Sequence, residues 1–150
     1  MALFIPMART GGDTTIPPQG EELKINLKPK AEFDLVGIVK AKITNEALSY
    51  GLDPILPLAI VKCEGGFESP EQCNARYGCI AGQGHFQFIP STWRNIIEFK
   101  NTPLPEYCRE REAVFISECN IIAGVWLLNQ DGDRHWREWS GACYLPLTKS

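Results

Sequence analysis

The sequence contains no cluster of lysine or arginine, and a formal charge of -3, from 15 basic and 18 acidic residues, leaves no electrostatic footprint for nucleic acid or an acidic membrane. That balance argues against a long polyanion as partner. No apolar run approaches the roughly 20 residues that span a bilayer; the best candidate, residues 55–63, contains Lys62 and runs into Glu64. No two cysteines have CxxC spacing, which counts against metal or thiol-redox chemistry. Residues 1–9 lack the charged start, long apolar stretch and small-residue cleavage site of an export signal. No internal repeat marks an array.

What remains is a chain of 150 residues with 44% hydrophobic content, enough to bury one core without oligomerising, so a single globular domain and a monomer are expected. Its six cysteines (Cys63, Cys73, Cys79, Cys108, Cys119 and Cys143) are even in number and lie from residue 63 onward. Even number without metal-type spacing points to disulfides, and hence to a location outside the cytoplasm. The pairing is open at this level, although Cys73 and Cys79 are close enough to close a local loop. Since no export signal is recognisable, either one has been removed or the chain is a piece of something larger.

Residues 1–30, with Gly11-Gly12, Pro17-Pro18 and Gly20 and no hydrophobic period, read as an irregular arm or linker. Residues 31–150 read as the domain. Val36, Val39, Ile43, Ala47 and Tyr50 share one side of a helical wheel, which predicts a half-buried helix stopped at Gly51. Asp53-Pro54 predicts a new helix start, with Asp as N-cap and Pro at the first helical position. The following residues 58–63 are apolar nearly all round, so this helix is expected inside the domain, ending at Gly65-Gly66. Residues 67–77 are polar and turn-forming. Residues 82–89 alternate briefly, with Phe86 and Phe88 opposite His85 and Gln87, which predicts a short strand or extended turn. A helix opens at Pro90 and runs to about Phe99. Residues 109–130 predict the longest, central helix, with Phe115, Cys119, Ile122 and Trp126 as a stripe widened by Ile116, Ala123 and Leu127; a short helix over 133–139 carries Trp136 and Trp139.

The chemically unusual residue is Glu64, an ionisable group at the end of a segment apolar enough for a core, where Glu is rare unless paired or functional. Desolvation and the negative end of its own helix both oppose its charged form and predict a raised pKa. A carboxyl kept protonated near neutral pH is what a glycosidase uses to donate a proton to a leaving glycosidic oxygen. The bland alternative is an exposed Glu on a frayed last turn.

The series Tyr50-Gly51-Leu52-Asp53-Pro54, Ala59-Ile60-Val61, Glu64 and Phe67 resembles the opening of the soluble lytic transglycosylase domain, in which a helix delivers the catalytic Glu. Gly84-His85-Phe86-Gln87-Phe88-Ile89-Pro90-Ser91-Thr92-Trp93 is similar to that family's Gly-Leu-Met-Gln-Phe-Met-Pro-Ser-Thr-Trp motif, and Asn120-Ile121-Ile122-Ala123-Gly124-Val125-Trp126-Leu127 to its Asn-Ile-x-x-Gly-x-x-Tyr-Leu helix. The three motifs occur in the family's order. The resemblance implies a mostly α (α+β), lysozyme-like single domain, with a short β segment beside a cleft between the Glu64 helix and residues 84–89. It implies that Glu64 is acid and base, that Gly84, Phe86 and Gln87 line the sugar-binding cleft, and that peptidoglycan glycan strands are the substrate, with no metal and no cofactor. Gly84 would let backbone approach a sugar ring, and Gln87 can both donate and accept.

The chain departs from the family in particular places. His85 and Phe86 stand for the usual Leu and Met, and Gly65 for the Ser that follows the catalytic Glu. The Tyr-Asn-Ala-Gly segment is missing, with Trp139-Ser140-Gly141-Ala142 a loose counterpart that offers Trp139 as an aromatic platform. The junction Cys63-Glu64-Gly65-Gly66, with a closing segment over 139–143, also resembles resuscitation-promoting factors, secreted wall hydrolases of a related fold.

Cleavage of the bond between N-acetylmuramic acid and N-acetylglucosamine to 1,6-anhydro ends is therefore the leading expectation. The alternatives are hydrolytic, lysozyme-type cleavage and a non-catalytic wall-binding or secretion-apparatus component of the same fold. A zinc set from Cys73, Cys79 and His85 has the wrong spacing for known short zinc motifs. His85 and His135 are expected at the surface or in the cleft, and Asp131 and Asp133 in a turn or capping role rather than as a second catalytic carboxylate.

Overall fold

A computed structural model describes residues 11–12, 34–68 and 82–149. The arm expected over residues 1–30 and the pair Cys73 and Cys79 lie outside the described residues, apart from Gly11 and Gly12.

The first helix, α1 (Leu35–Ser49), forms where Val39, Ile43 and Ala47 repeat every four residues and bury one stripe. Asp34 caps it by accepting the Gly37 N–H at 2.8 Å. At its end the Gly51 N–H reaches the Leu48 carbonyl and the Leu52 N–H that of Ala47, both at 3.0 Å, the double closure that a left-handed glycine permits. The second helix, α2 (Ile55–Cys63), begins one residue later than Pro54 suggests: the Asp53 carboxylate caps the Ile55 N–H at 2.9 Å, and Pro54 precedes the first helical residue. Pro57 is buried in the first turn, where its missing N–H leaves no helical bond unmade. Ala59, Ile60 and Val61 are buried, as their apolar surroundings predict.

The third helix, α3 (Pro90–Glu98), starts on its proline and buries Trp93 and Ile96. The segment behind it is held by side chains instead of a ladder. The Arg109 guanidinium donates to the carbonyls of Ile97 at 2.9 Å and Thr102 at 3.0 Å, and the Trp93 indole donates to that of Glu110. The single helix expected over 109–130 is two elements, a 3-10 run Arg111–Phe115 and then α4 (Ser117–Asp131), separated by Ile116 in extended conformation. The break has a local cause: the Val114 carbonyl points to the Asn120 side chain at 2.9 Å. α4 is accordingly buried over most of its circumference, by Cys119, Asn120, Ile121, Ala123, Gly124, Val125, Leu127 and Leu128, with Ile122 and Trp126 only partly buried and Ile116 exposed. The last helix, α5 (Arg134–Tyr144), outruns the expected 133–139 because Trp136, Ser140 and Tyr144 bury one face at four-residue spacing.

The described fold is mostly helical, with α2 packed between α1, α4 and α5. Among the described residues no helix is long and apolar enough to cross a membrane. The expected short β segment is a tight turn instead. Gln83 and Phe88 exchange backbone hydrogen bonds, each at 3.0 Å, in an isolated antiparallel bridge, and among the described residues no neighbouring strand extends it.

Among the described residues two disulfides staple this arrangement. Cys108–Cys119 ties the short turn before the 3-10 run to the start of α4, and Cys63–Cys143 ties the end of α2 to α5. None of the four described cysteines is free. The bridges close sequence separations of 11 and 80 residues, so the second constrains the unfolded chain more. Replacing Cys63 and Cys143 together by Ser is expected to cost about 4 kcal/mol, against roughly 3 kcal/mol for Cys108 and Cys119. Denaturant unfolding without reductant checks the order, and equal losses would refute it.

Candidate active site

Glu64 is the residue on which α2 ends. Its N–H still bonds the Ile60 carbonyl at 2.9 Å, but its backbone has left the helical region. The chain then turns into the 83–88 turn: the Gly65 N–H donates to the His85 carbonyl at 3.0 Å and the Gly66 N–H to Val61 at 2.8 Å. A side chain at residue 65 would collide with the Gly84 and His85 backbone. The serine that follows the acid in the resembling family therefore has no room here, and the departure at Gly65 has a steric cause.

The Glu64 carboxyl is partly buried. Burial pushes its pKa up, and a hydrogen bond with the Ser140 hydroxyl on α5 pulls the other way, with the upward push prevailing. The exposed Glu on a frayed turn is thus not what the fold contains. Ser140 is itself buried and stands one turn before Cys143, whose partner Cys63 immediately precedes Glu64.

The remaining expected site residues have different situations. Gly84 is buried with φ +76, and a Cβ there would run into the Asn120 amide and the Val114 carbonyl. Its glycine is required by protein packing. Phe86 is a correction. Its side chain is fully buried, with its ring centroid 5.6 Å from Trp136 and its face against Gly124, so it belongs to the core and lines no cleft. Its backbone is held as firmly: the N–H donates to Asn120 Oδ1 and the carbonyl accepts from Trp136 Nε1, both at 2.9 Å. Gln87 is partly buried at φ 51, and its amide donates to the Gly84 carbonyl at 2.8 Å, closing its own turn. Trp139 is 76% exposed on α5 beside Ser140, and its ring is open to a ligand. The fold thus brings the backbone of Gly84 and His85 to the Glu64 junction and withdraws the Phe86 ring from it.

His85 is a second correction. Expected at the surface or in the cleft, it is fully buried, with Nδ1 2.8 Å from the Gly66 carbonyl and Nε2 2.8 Å from Ser117 Oγ. A carbonyl only accepts, so Nδ1 carries the proton and Nε2 accepts from the Ser117 hydroxyl. Burial lowers the imidazole pKa and keeps this neutral tautomer. With both ring nitrogens engaged, His85 offers nothing to a metal, and the other two members of the imagined zinc set, Cys73 and Cys79, lie outside the described residues.

The two aspartates are tied up in ion pairs at the start of α5. Asp131 accepts from His135 and Arg134, each at 2.9 Å, and is held low chiefly by the His135 hydrogen bond. Burial raises Asp133, but hydrogen bonds from Arg137 and Tyr144 outweigh it and hold the carboxyl low.

The residue that sequence reasoning undervalued is Asn120. Fully buried, it accepts from Phe86 N–H and donates to the Val114 carbonyl at 2.9 Å and the Gln83 carbonyl at 3.3 Å. A buried amide in an otherwise apolar helical stripe was the available signal.

Asn120→Ala leaves three buried backbone groups without this partner and is expected to destabilise the domain by about 3 kcal/mol in urea unfolding. A second expectation concerns pH. The unfolded His85 takes up its proton near 6.5 while the native one resists, so its contribution to stability is full above that pH and declines as the pH falls through the lowered native value. His85→Gln does not titrate and should flatten that acid-side decline. Unfolding at about pH 7 and about pH 5 measures it, and an unchanged difference would refute the linkage.

No family model, curated protein or solved structure matches this chain, which leaves its residues and geometry to carry the functional conclusion.

Proposed function

We propose that the domain is a peptidoglycan-cleaving glycosidase, specifically a lytic transglycosylase, with Glu64 as its acid and base. The observation that carries this is the environment of Glu64. It is a partly buried carboxyl with its pKa pushed up by burial, against which a hydrogen bond with the Ser140 hydroxyl acts less strongly. Such a group keeps a proton available nearer neutral pH than an exposed Glu does.

In this mechanism Glu64 donates its proton to the glycosidic oxygen between N-acetylmuramic acid and N-acetylglucosamine. The substrate's own acetamido oxygen assists departure of the leaving sugar. The resulting Glu64 carboxylate then takes the proton from the C6 hydroxyl as that oxygen closes on C1, giving a 1,6-anhydro end; attack by water in its place gives hydrolysis. Two-carboxylate schemes find less support, because Asp131 and Asp133 are engaged with Arg134, His135 and Arg137. Trp139 supplies an exposed ring for sugar stacking, and the Gln87 side chain a polar edge. The disulfides support action outside the cytoplasm, where they persist.

One observation favours binding without cleavage: Gly84 and Phe86, two of the residues the resemblance assigns to the cleft, are spent on packing. Mass spectrometry of muropeptides released from purified peptidoglycan separates the two. The wild type is expected to release anhydro-muropeptides and Glu64→Gln to lose at least about 100-fold in rate, since Gln keeps the shape but transfers no proton. The native pKa of Glu64 is raised, so its contribution to stability is lost as the pH rises above the unfolded value; Glu64→Gln should unfold no more easily than wild type near neutral pH. A wild type that binds peptidoglycan but releases nothing would leave the binding role standing.

A further inference from the structure

We propose that the Cys63–Cys143 bridge is a thiol-labile latch on the Glu64 junction: small thiols open it while Cys108–Cys119 stays closed, and opening it switches cleavage off. The loss of cleavage rests on Glu64 being the acid and base, whereas the selective opening does not.

The two bridges differ in what surrounds them. Cys108 and Cys119 are both 0% exposed and belong to the core, so a thiol reaches them only when the domain opens. Cys143 is exposed on α5 and Cys63 is half-buried. Access to the sulfur is a condition of thiol–disulfide exchange, and among the described residues it selects this bridge.

What the accessible bridge holds is the end of the helix that delivers Glu64. Cys63 is the last residue of α2 and Glu64 follows it directly. Among the described residues no backbone hydrogen bond joins α2 to α5. The junction bonds from Gly65 to the His85 carbonyl and from Gly66 to that of Val61 reach the turn and α2 itself, and the Trp136 indole of α5 is bonded to Phe86 in the turn. The bridge, with 6.0 Å between its Cα atoms, is thus the direct covalent tie between the two helices. Trp139 precedes Cys143 by four residues and shares its face of α5. The bridge therefore fixes the acid on one helix against the exposed ring on the other, and opening it frees the two to separate.

The exchange is a two-electron reduction of the protein. A thiolate of a small thiol attacks the Cys143 sulfur, the S–S bond breaks, and Cys63 leaves as a thiolate that takes up a proton. A second thiol releases Cys143 from the mixed disulfide, so two protein thiols and one small-molecule disulfide result. A chain made in a reducing compartment then stays idle until it reaches one in which the bridge persists.

The test adds graded reduced glutathione to the native protein, traps free thiols by alkylation, assigns them by peptide mass spectrometry and measures muropeptide release on the same samples. Cys63 and Cys143 are expected to be trapped while Cys108 and Cys119 remain bridged. Release should fall by roughly tenfold to a hundredfold, as a displacement of about 1 Å in a catalytic geometry causes, and oxidised glutathione should restore it. Circular dichroism should show the helices unchanged. Cys63→Ser combined with Cys143→Ser should cleave at the low rate and ignore glutathione, which separates the latch from any effect at Cys73 or Cys79; the reversible wild-type titration decides the matter without a folded variant. Trapping of all four cysteines together overturns the proposal, as does full release with the bridge open, or a double variant that glutathione still inhibits. Loss of the helices on opening overturns it too, because the bridge then serves the fold alone. A fully oxidised wild type that releases no muropeptide refutes the glycosidase, and NMR then reads the latch by itself: the signals of the Gly65 amide and the His85 carbonyl move on selective opening if the bridge holds the junction, and unmoved signals refute it.

Discussion

A turn that belongs to no sheet must find partners for its backbone among side chains, and in this domain the burden falls on Asn120. The 83–88 turn is closed on itself by one bridge and by the bonds from Gln87 to the Gly84 carbonyl, and the Phe86 peptide groups are satisfied from outside. Asn120 takes the Phe86 N–H and serves the Gln83 carbonyl, while Trp136 serves the Phe86 carbonyl. The same amide holds the Val114 carbonyl, which divides the 3-10 run from α4. Side chains on α4 and α5 thereby set the position of the turn, and the turn in turn receives the end of α2 through the bond from Gly65 to His85. Close approach demands the absence of side chains: Gly84 lies against Asn120, and Gly124 against the Phe86 ring.

The carboxylates of this chain show that environment, and not residue type, assigns their roles. Asp131 and Asp133 sit beside arginines and a histidine that favour their ionised forms, and both are held low. Among the described residues Glu64 has no such partner. It lies at the C-terminal end of its own helix, where the exposed carbonyls disfavour negative charge, and it is partly desolvated. The two situations drive otherwise similar groups apart, which is the condition under which one carboxyl of a protein can act as an acid while others stay ionised.

How much of this could be read from the residues depended on the range of the interaction. The stop of α1 at Gly51, the cap at Asp53 and the oddity of Glu64 were legible, because each follows from a few neighbouring residues. The inward turn of Phe86 was not. Alternation sorts residues to faces only along a strand, whereas residues 84–87 form a turn whose backbone points both phenylalanines and His85 into the protein. His85 also misled by its polarity. Its burial depends on Gly66, nineteen residues earlier, and Ser117, thirty-two later, which no local pattern contains. The break at Ile116 was hidden for a similar reason, since the apolar spacing is continuous and only the Asn120 side chain interrupts the helix. The departure at Gly65 has its reason in space, because a Cβ there would meet the Gly84 and His85 backbone, which local sequence does not reveal.

These contacts give a physical reason for the residues at positions 85 and 86, where the 84–88 segment differs from the motif it resembles. What the turn presents to the Glu64 junction is backbone: the His85 carbonyl receives Gly65, and the Gly84 carbonyl lies where a residue-65 side chain would be. The His85 ring reinforces the junction from beneath by holding the Gly66 carbonyl, which no leucine could do, and the Phe86 ring fills the space that Gly124 leaves open. A floor of fixed peptide groups, braced by a buried imidazole and clamped to α5 by a disulfide, therefore underlies Glu64. The identities at residues 85 and 86 thus answer to the core beneath Glu64, while Trp139 on α5 stays exposed.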